Sequence, residues 1–110
     1  MEDLLIIQKI EDMMRYGYQA VAHFPKSERH VMSQEIRLAM WRLMRGAVLC
    51  AKRYYKKTTL CDMDADLELL RRQIRMAKDL GILPFKKYEV WARLLDEIGR
   101  IVGSWLKKVK

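Results

Sequence analysis

The sequence predicts an all-α protein, an antiparallel up-down four-helix bundle, and three observations carry that prediction. Leu, Ile, Met, Ala, Arg, Lys and Glu dominate, with only five Gly and two Pro among 110 residues, a composition that favours helix. Apolar residues recur at alternating spacings of three and four and never alternate strictly, so their period is helical. Three punctuation points divide the chain into segments of about 2–22, 27–57, 63–80 and 84–108. Connections this short force neighbouring helices antiparallel. A chain of 110 residues has room for one domain with one core.

The first segment places Ile6, Ile10, Met13, Gly17 and Val21 on one face, with Leu4, Leu5, Ile7 and Met14 in excess of it. Pro25 then pushes Phe24 out of helix, and Ser27 offers an N-cap to the second segment. At 100° per residue, Ile36, Met40, Leu43, Ala47, Cys50 and Tyr54 share that helix's apolar face. Arg42, Arg45, Lys52, Arg53 and Lys56 share an arc of about 100° on the other side. Leu38, Trp41 and Leu49 lie near or within this basic arc. Large apolar residues beside Arg mark a partner surface, which predicts a homo-oligomer; the alternative is that they broaden the core of a monomer.

The β-branched Thr58 and Thr59 predict a break before the third helix, with Asp62 or Asp64 as its cap. Leu67, Leu70, Ile74 and Ala77 face inward there, and Arg71, Arg75 and Lys78 form a stripe. Asp62, Asp64, Asp66 and Glu68 read as acids gathered at a helix N-terminus to complement its dipole, since they lack the glycine and full ligand set of a calcium loop. Gly81 and Pro84 stop one helix and start the next. In the fourth segment Tyr88, Trp91, Leu95, Ile98, Val102, Trp105 and Val109 form a bundle seam, widened by Phe85, Leu94, Ile101 and Leu106. Lys86, Arg93, Arg100 and Lys107 recur every seven residues on the opposite face, while Gly99 and Gly103 predict a close helix approach.

The net charge is +8 and unevenly placed: Arg29 to Lys57 holds eight Lys/Arg against the single acid Glu35. Such an excess favours a polyanionic partner, although a merely solvated basic face is the alternative. No enzyme constellation is visible. His23 and His30 flank the Pro25 break, Asp96 and Glu97 point to different sides of a helix, and no phosphate loop, nucleophile elbow or HExxH occurs. Cys50 and Cys61 have no nearby His or Cys to complete a zinc site, so neither metal nor cofactor is expected. The run Leu4 to Ile7 is too short for a signal-peptide core, and no stretch reaches the ~20 apolar residues of a membrane span. These features predict a cytoplasmic protein with reduced thiols.

The later helices also carry a resemblance. Tyr88-Glu89 and Glu97-Ile98-Gly99-Arg100-Ile101-Val102-Gly103-Ser104-Trp105-Leu106-Lys107 resemble the EIGRxxGGWxK ending of the accessory variability (Avd) proteins of diversity-generating retroelements. Leu70-Arg71-Arg72-Gln73-Ile74-Arg75-Met76-Ala77-Lys78-Asp79-Leu80 resembles that family's LRxxxRLAxDL segment. Phe24-Pro25-Lys26-Ser27-Glu28-Arg29 with Gln34-Glu35-Ile36-Arg37 resembles its FPKxER…QIR stretch, which is also similar to the four-helix proteins of bacterial ribosomal RNA intervening sequences. Ser104 stands where the family has its second glycine.

The Avd resemblance implies a basic four-helix bundle assembled as a homopentamer, without catalysis of its own. It implies binding to a reverse transcriptase and to template RNA or cDNA, with Arg71 and Arg75 at the family's paired arginines and Glu97 and Trp105 in a structural motif. Electrostatic contacts are expected from Arg42, Arg45, Lys52, Arg53, Lys56, Arg71, Arg75, Lys78, Arg93 and Arg100. The alternative is an oligomeric scaffold without a retroelement role.

Overall fold

The computed structural model describes residues 3–28 and 30–109. Helix α1 spans Asp3–Val21, a short 3₁₀ turn covers Lys26–Glu28, and α2 spans Met32–Lys52, α3 Lys57–Asp79 and α4 Phe85–Lys108. Among the described residues there is no strand. Four residues separate α2 from α3 and reach about 14 Å at most, whereas each helix is roughly 30 Å long. The chain must therefore double back.

Contacts between side chains show the same antiparallel course on every side. Gly46 packs on Met63 and, toward the other end, Met32 and Ile36 lie by Gln73 and Met76. Lys78 covers Tyr88 while Arg71 meets Asp96. Lys9 Nζ reaches Glu97 Oε2 at 3.0 Å, and α1 thereby closes the ring against α4. Each helix packs on its two neighbours, so α2 and α4 stand on opposite corners of a bundle measuring 43 × 22 × 20 Å.

The core is the union of the four apolar stripes. Ile6, Ile10 and Met13 meet Ile36, Met40, Leu43, Leu67, Leu70, Trp91, Leu95 and Ile98, all essentially inaccessible. Trp91 donates its indole N–H to Met13 Sδ at 3.4 Å, giving the largest buried ring a polar partner. Gly17 makes room for that ring: a Cβ there would lie 2.5 Å from Met40 Sδ and 2.8 Å from Trp91 Cζ2.

Helix boundaries depart from the sequence reading in instructive ways. Helix α2 begins at Met32, and Ser27 lies in the 3₁₀ turn instead of capping it. Phe24 is 2% exposed, and this buried ring holds the connection against the bundle end. The position expected for the start of α1, Glu2, lies outside the described residues, as does Arg29. Helix α2 stops at Lys52, where Arg53 turns extended. Helix α3 starts at Lys57 and takes in both threonines.

Burial explains that early start. Thr59 and Leu60 are 3% and 0% exposed and extend the stripe Leu60, Met63, Leu67, Leu70, Ile74 and Ala77. Burying a leucine is worth about 1.5–3 kcal/mol, against tenths for a β-branched residue's helix propensity. Burial wins. Two expectations fall with it: Asp62, Asp64, Asp66 and Glu68 sit inside α3, whose first turn has no acid, and Tyr54 is outside any helix and 89% exposed.

The break after α3 is as the residues predict. Gly81 takes φ +74°, Ile82 N–H donates to Ala77 O at 2.9 Å and Gly81 N–H to Lys78 O at 3.0 Å, the paired bonds of a Schellman stop. Gly99 does permit a close approach, from the Arg71 guanidinium and Leu67 of α3. Gly103 does not, since a Cβ there would meet nothing within 4 Å.

Candidate nucleic-acid interface

The predicted cations fall on two sides of the bundle. On α2, Arg42, Arg45 and Lys52 are exposed on the outward arc. Arg53 and Lys56 brace the chain after it: Arg53 Nη1 donates to Thr59 Oγ1 at 3.0 Å, and Lys56 Nζ donates to the Cys50 carbonyl at the end of α2. A basic side chain on a terminal carbonyl caps the helix and complements its dipole. These two residues are thus structural donors as well as charges.

Between α2 and α3 the arc meets acids. Arg42, Arg45, Leu49 and Arg53 line a groove of about 290 Å³ with Thr59, Asp62 and Asp66. Burial pushes the Asp66 carboxyl above its ordinary pKa, against the pull of Arg42 and with a further push from Asp62. By helical spacing Arg42 and Arg53 lie on the α3 side of the arc, Arg45 lines the groove from its outer edge, and Lys52 lies outside it in the middle of the open arc.

On the other side, Arg71, Arg75 and Lys78 follow the seam between α3 and α4. Arg71 Nη2 lies 3.4 Å from Asp96 Oδ1, and Nη1 lies 4.0 Å from Glu68 Oε1. Its Nε is buried without a hydrogen-bond acceptor, and its guanidinium fills the space left by Gly99. Arg71 is therefore packed and paired. Lys78 Nζ sits 4.6 Å above the Tyr88 ring and 3.4 Å from Asp79. Arg75 is exposed, and the neighbouring Tyr88 raises its already high pKa. Arg93 and Arg100 project from α4 and, among the described residues, make no ion pair.

The three apolar residues assigned to a partner surface separate. Leu38 and Trp41 are 49% and 55% exposed, while Leu49 is half-buried in the groove between α2 and α3. Trp41 joins a residue the sequence reading did not single out: its indole N–H donates to the Tyr18 hydroxyl at 2.7 Å. Tyr18, Trp41, Met14 and Met44 then line an open groove of about 540 Å³ between α1 and α2. The signal for it was a surplus of apolar residues on both helices, but their meeting depends on how the helices face each other.

Among the described residues, no three His, Cys, Asp or Glu side chains are placed to hold a metal ion, and no helix is long and apolar enough to cross a membrane. His23 and His30 are both exposed. Fold and surface together define a class: a small basic four-helix bundle whose polar side chains sit along helix exteriors and seams. The chain belongs to the bAvd-like family, whose model matches residues 4–109. This agrees with the Avd resemblance of the α3 and α4 motifs. No curated protein sequence matches the chain.

Proposed function

We propose that this protein is a non-catalytic accessory subunit of a diversity-generating retroelement, binding its reverse transcriptase and its template RNA or cDNA. Family membership over residues 4–109 supports the retroelement role. The observation that carries nucleic-acid binding is the set of outward cations, Arg45 and Lys52 on α2, Arg75 on α3, and Arg93 and Arg100 on α4. Such charges neutralise phosphates and release counterions, so binding is electrostatic and sequence-independent. Arg53, Lys56, Arg71 and Lys78 contribute field from positions where they also hold structure, and Arg42 contributes it from the groove beside Asp66.

The exposed Leu38 and Trp41 and the groove by Tyr18 favour a protein contact on the α1/α2 face. We assign that face to self-association, a homopentameric ring in the family reading, which repeats each basic stripe and raises avidity. A protein scaffold without nucleic acid is the competing reading, favoured by this same face.

The test titrates RNA and duplex DNA with the protein across a salt series. Affinity is expected to fall with log slope near −0.9 per neutralised phosphate on duplex. Arg45→Glu/Arg93→Glu/Arg100→Glu is expected to abolish retention while helicity persists. Arg71 is left out because a carboxylate there would face Glu68 and Asp96. No retention at low ionic strength, with salt-insensitive binding of a protein partner, would favour the scaffold without a retroelement role.

A further inference from the structure

The turn between α2 and α3 carries a feature that the bundle's packing does not use. Tyr54 and Tyr55 are 89% and 85% exposed, far beyond the other large side chains near them. Their rings meet edge to face, with centroids 5.0 Å apart and planes at 85°. In such a pair one ring presents its edge and keeps both faces free, while the other keeps one. Aromatic surface is thus held open to water at the tip of the molecule, where core burial would have been the favourable alternative.

The surroundings are cationic. The turn reads Lys52-Arg53-Tyr54-Tyr55-Lys56-Lys57, and no acid occurs between Glu35 and Asp62. Lys52 and Lys57 are exposed. The hydrogen bonds from Arg53 to Thr59 and from Lys56 to the Cys50 carbonyl brace the backbone on either side of the two rings. A braced turn loses less entropy when a ligand settles on it.

We infer that this turn is a stacking platform for single-stranded nucleic acid, with unpaired bases on Tyr54 and Tyr55 and the adjoining phosphates on Lys52 and Lys57. The inference rests on the nucleic-acid reading above and specifies its ligand. Aromatic faces take bases that are unstacked and unpaired, and every base has a π-face, so such a site is tolerant of sequence but selective for single strands. Duplex bases are already stacked on one another. An anionic membrane would also attract these lysines, but an interfacial membrane anchor is an amphipathic helix with a face of Trp, Phe and Leu, whereas residues 53–56 are outside any helix and include none of these.

The experiment measures fluorescence anisotropy of short labelled single strands, RNA and DNA, each with an abasic counterpart of equal length and charge. Wild-type protein is expected to hold the base-bearing strand about tenfold more tightly than the abasic one. Tyr54→Ala/Tyr55→Ala is expected to erase that preference and leave duplex affinity and its salt dependence unchanged. Tyr54→Phe/Tyr55→Phe keeps the rings and is expected to keep the preference. Both rings are exposed, so helicity by circular dichroism stays constant across the set. Equal binding of base-bearing and abasic strands by the wild type would overturn the inference, as would an alanine variant that retains the preference. Sedimentation of the wild type with phosphatidylserine vesicles that the alanine variant loses, with strand binding the same in both, would overturn the inference and transfer the turn to a membrane role. If wild-type protein retains no nucleic acid at all, the electrostatic reading itself fails, and that outcome is distinct from retention without base dependence.

Discussion

Replacing Gly17 and Gly103 by alanine, one at a time, probes the bundle's packing with identical chemistry and opposite expected signs. Both lie inside helices, where Gly→Ala is worth about 0.5–1 kcal/mol in backbone entropy. At Gly103 a Cβ meets nothing within 4 Å, so that gain is expected almost undiminished. At Gly17 the Cβ arrives 2.5 Å from Met40 Sδ and 2.8 Å from Trp91 Cζ2, in side chains that are 0% exposed. The Met40 thioether can rotate, but the rigid Trp91 ring in the core must shift as a body, and overpacking of this kind costs about 1–3 kcal/mol. Gly17→Ala should therefore destabilise by about 1 kcal/mol net, and the two variants should differ by about 2 kcal/mol. In a domain of this size that separates their Tm values by about 8–16 °C. Thermal unfolding by circular dichroism at one fixed protein concentration reads it, because self-association makes Tm concentration-dependent. A Gly17→Ala protein as stable as Gly103→Ala would refute the close contact of α1 with Met40 and Trp91.

Other perturbations have equally definite signs. Asp66→Asn should raise Tm slightly at neutral pH. The folded carboxyl has a raised pKa, so its charged form costs stability above its unfolded pKa, and the variant's advantage should vanish in acid. Lys56→Met removes the donor to the Cys50 carbonyl and should cost about 1 kcal/mol in urea unfolding; an unchanged midpoint would show that the bond contributes nothing. Burial pushes the Cys50 thiol pKa up, while Cys61 is exposed. Alkylation near pH 8 should therefore label Cys61 alone until the bundle unfolds, as mass mapping would reveal. Gly99→Ala should be nearly neutral in urea unfolding, because the gain in helix propensity is offset by a Cβ that displaces the end of the Arg71 side chain and crowds buried Leu67 Cδ2 at 3.2 Å.

The core was legible because burial writes a period into the chain. Trp91, Leu95, Ile98, Val102 and Trp105 lie on the face predicted for them, as do Ile36, Met40, Leu43 and Cys50. The same rule misplaced Tyr54, which fits the α2 stripe by angle but follows the helix's actual end at Lys52. That end was hidden by a contest between local and tertiary terms. Thr58 and Thr59 argue locally for a break, but Leu60 and Thr59 find core on the far side and draw the start of α3 back to Lys57. The candidate site was legible only as a list of cations. Arg71 and Arg75 look alike in sequence, yet Asp96 and Gly99, more than twenty residues away, pack and pair the first and leave the second open.

What the amino-acid sequence determined by itself was the helical class, the inward faces, the glycine stop at Gly81 and the motifs shared with Avd proteins. Each depends on residues within a few positions of one another, where the geometry of one helix relates them. Only the tertiary structure decided which charges are free, where α2 yields to α3, that Trp41 meets Tyr18 and that two tyrosines stand open to water. Those outcomes depend on what a neighbouring helix places across a seam, and no local period encodes that.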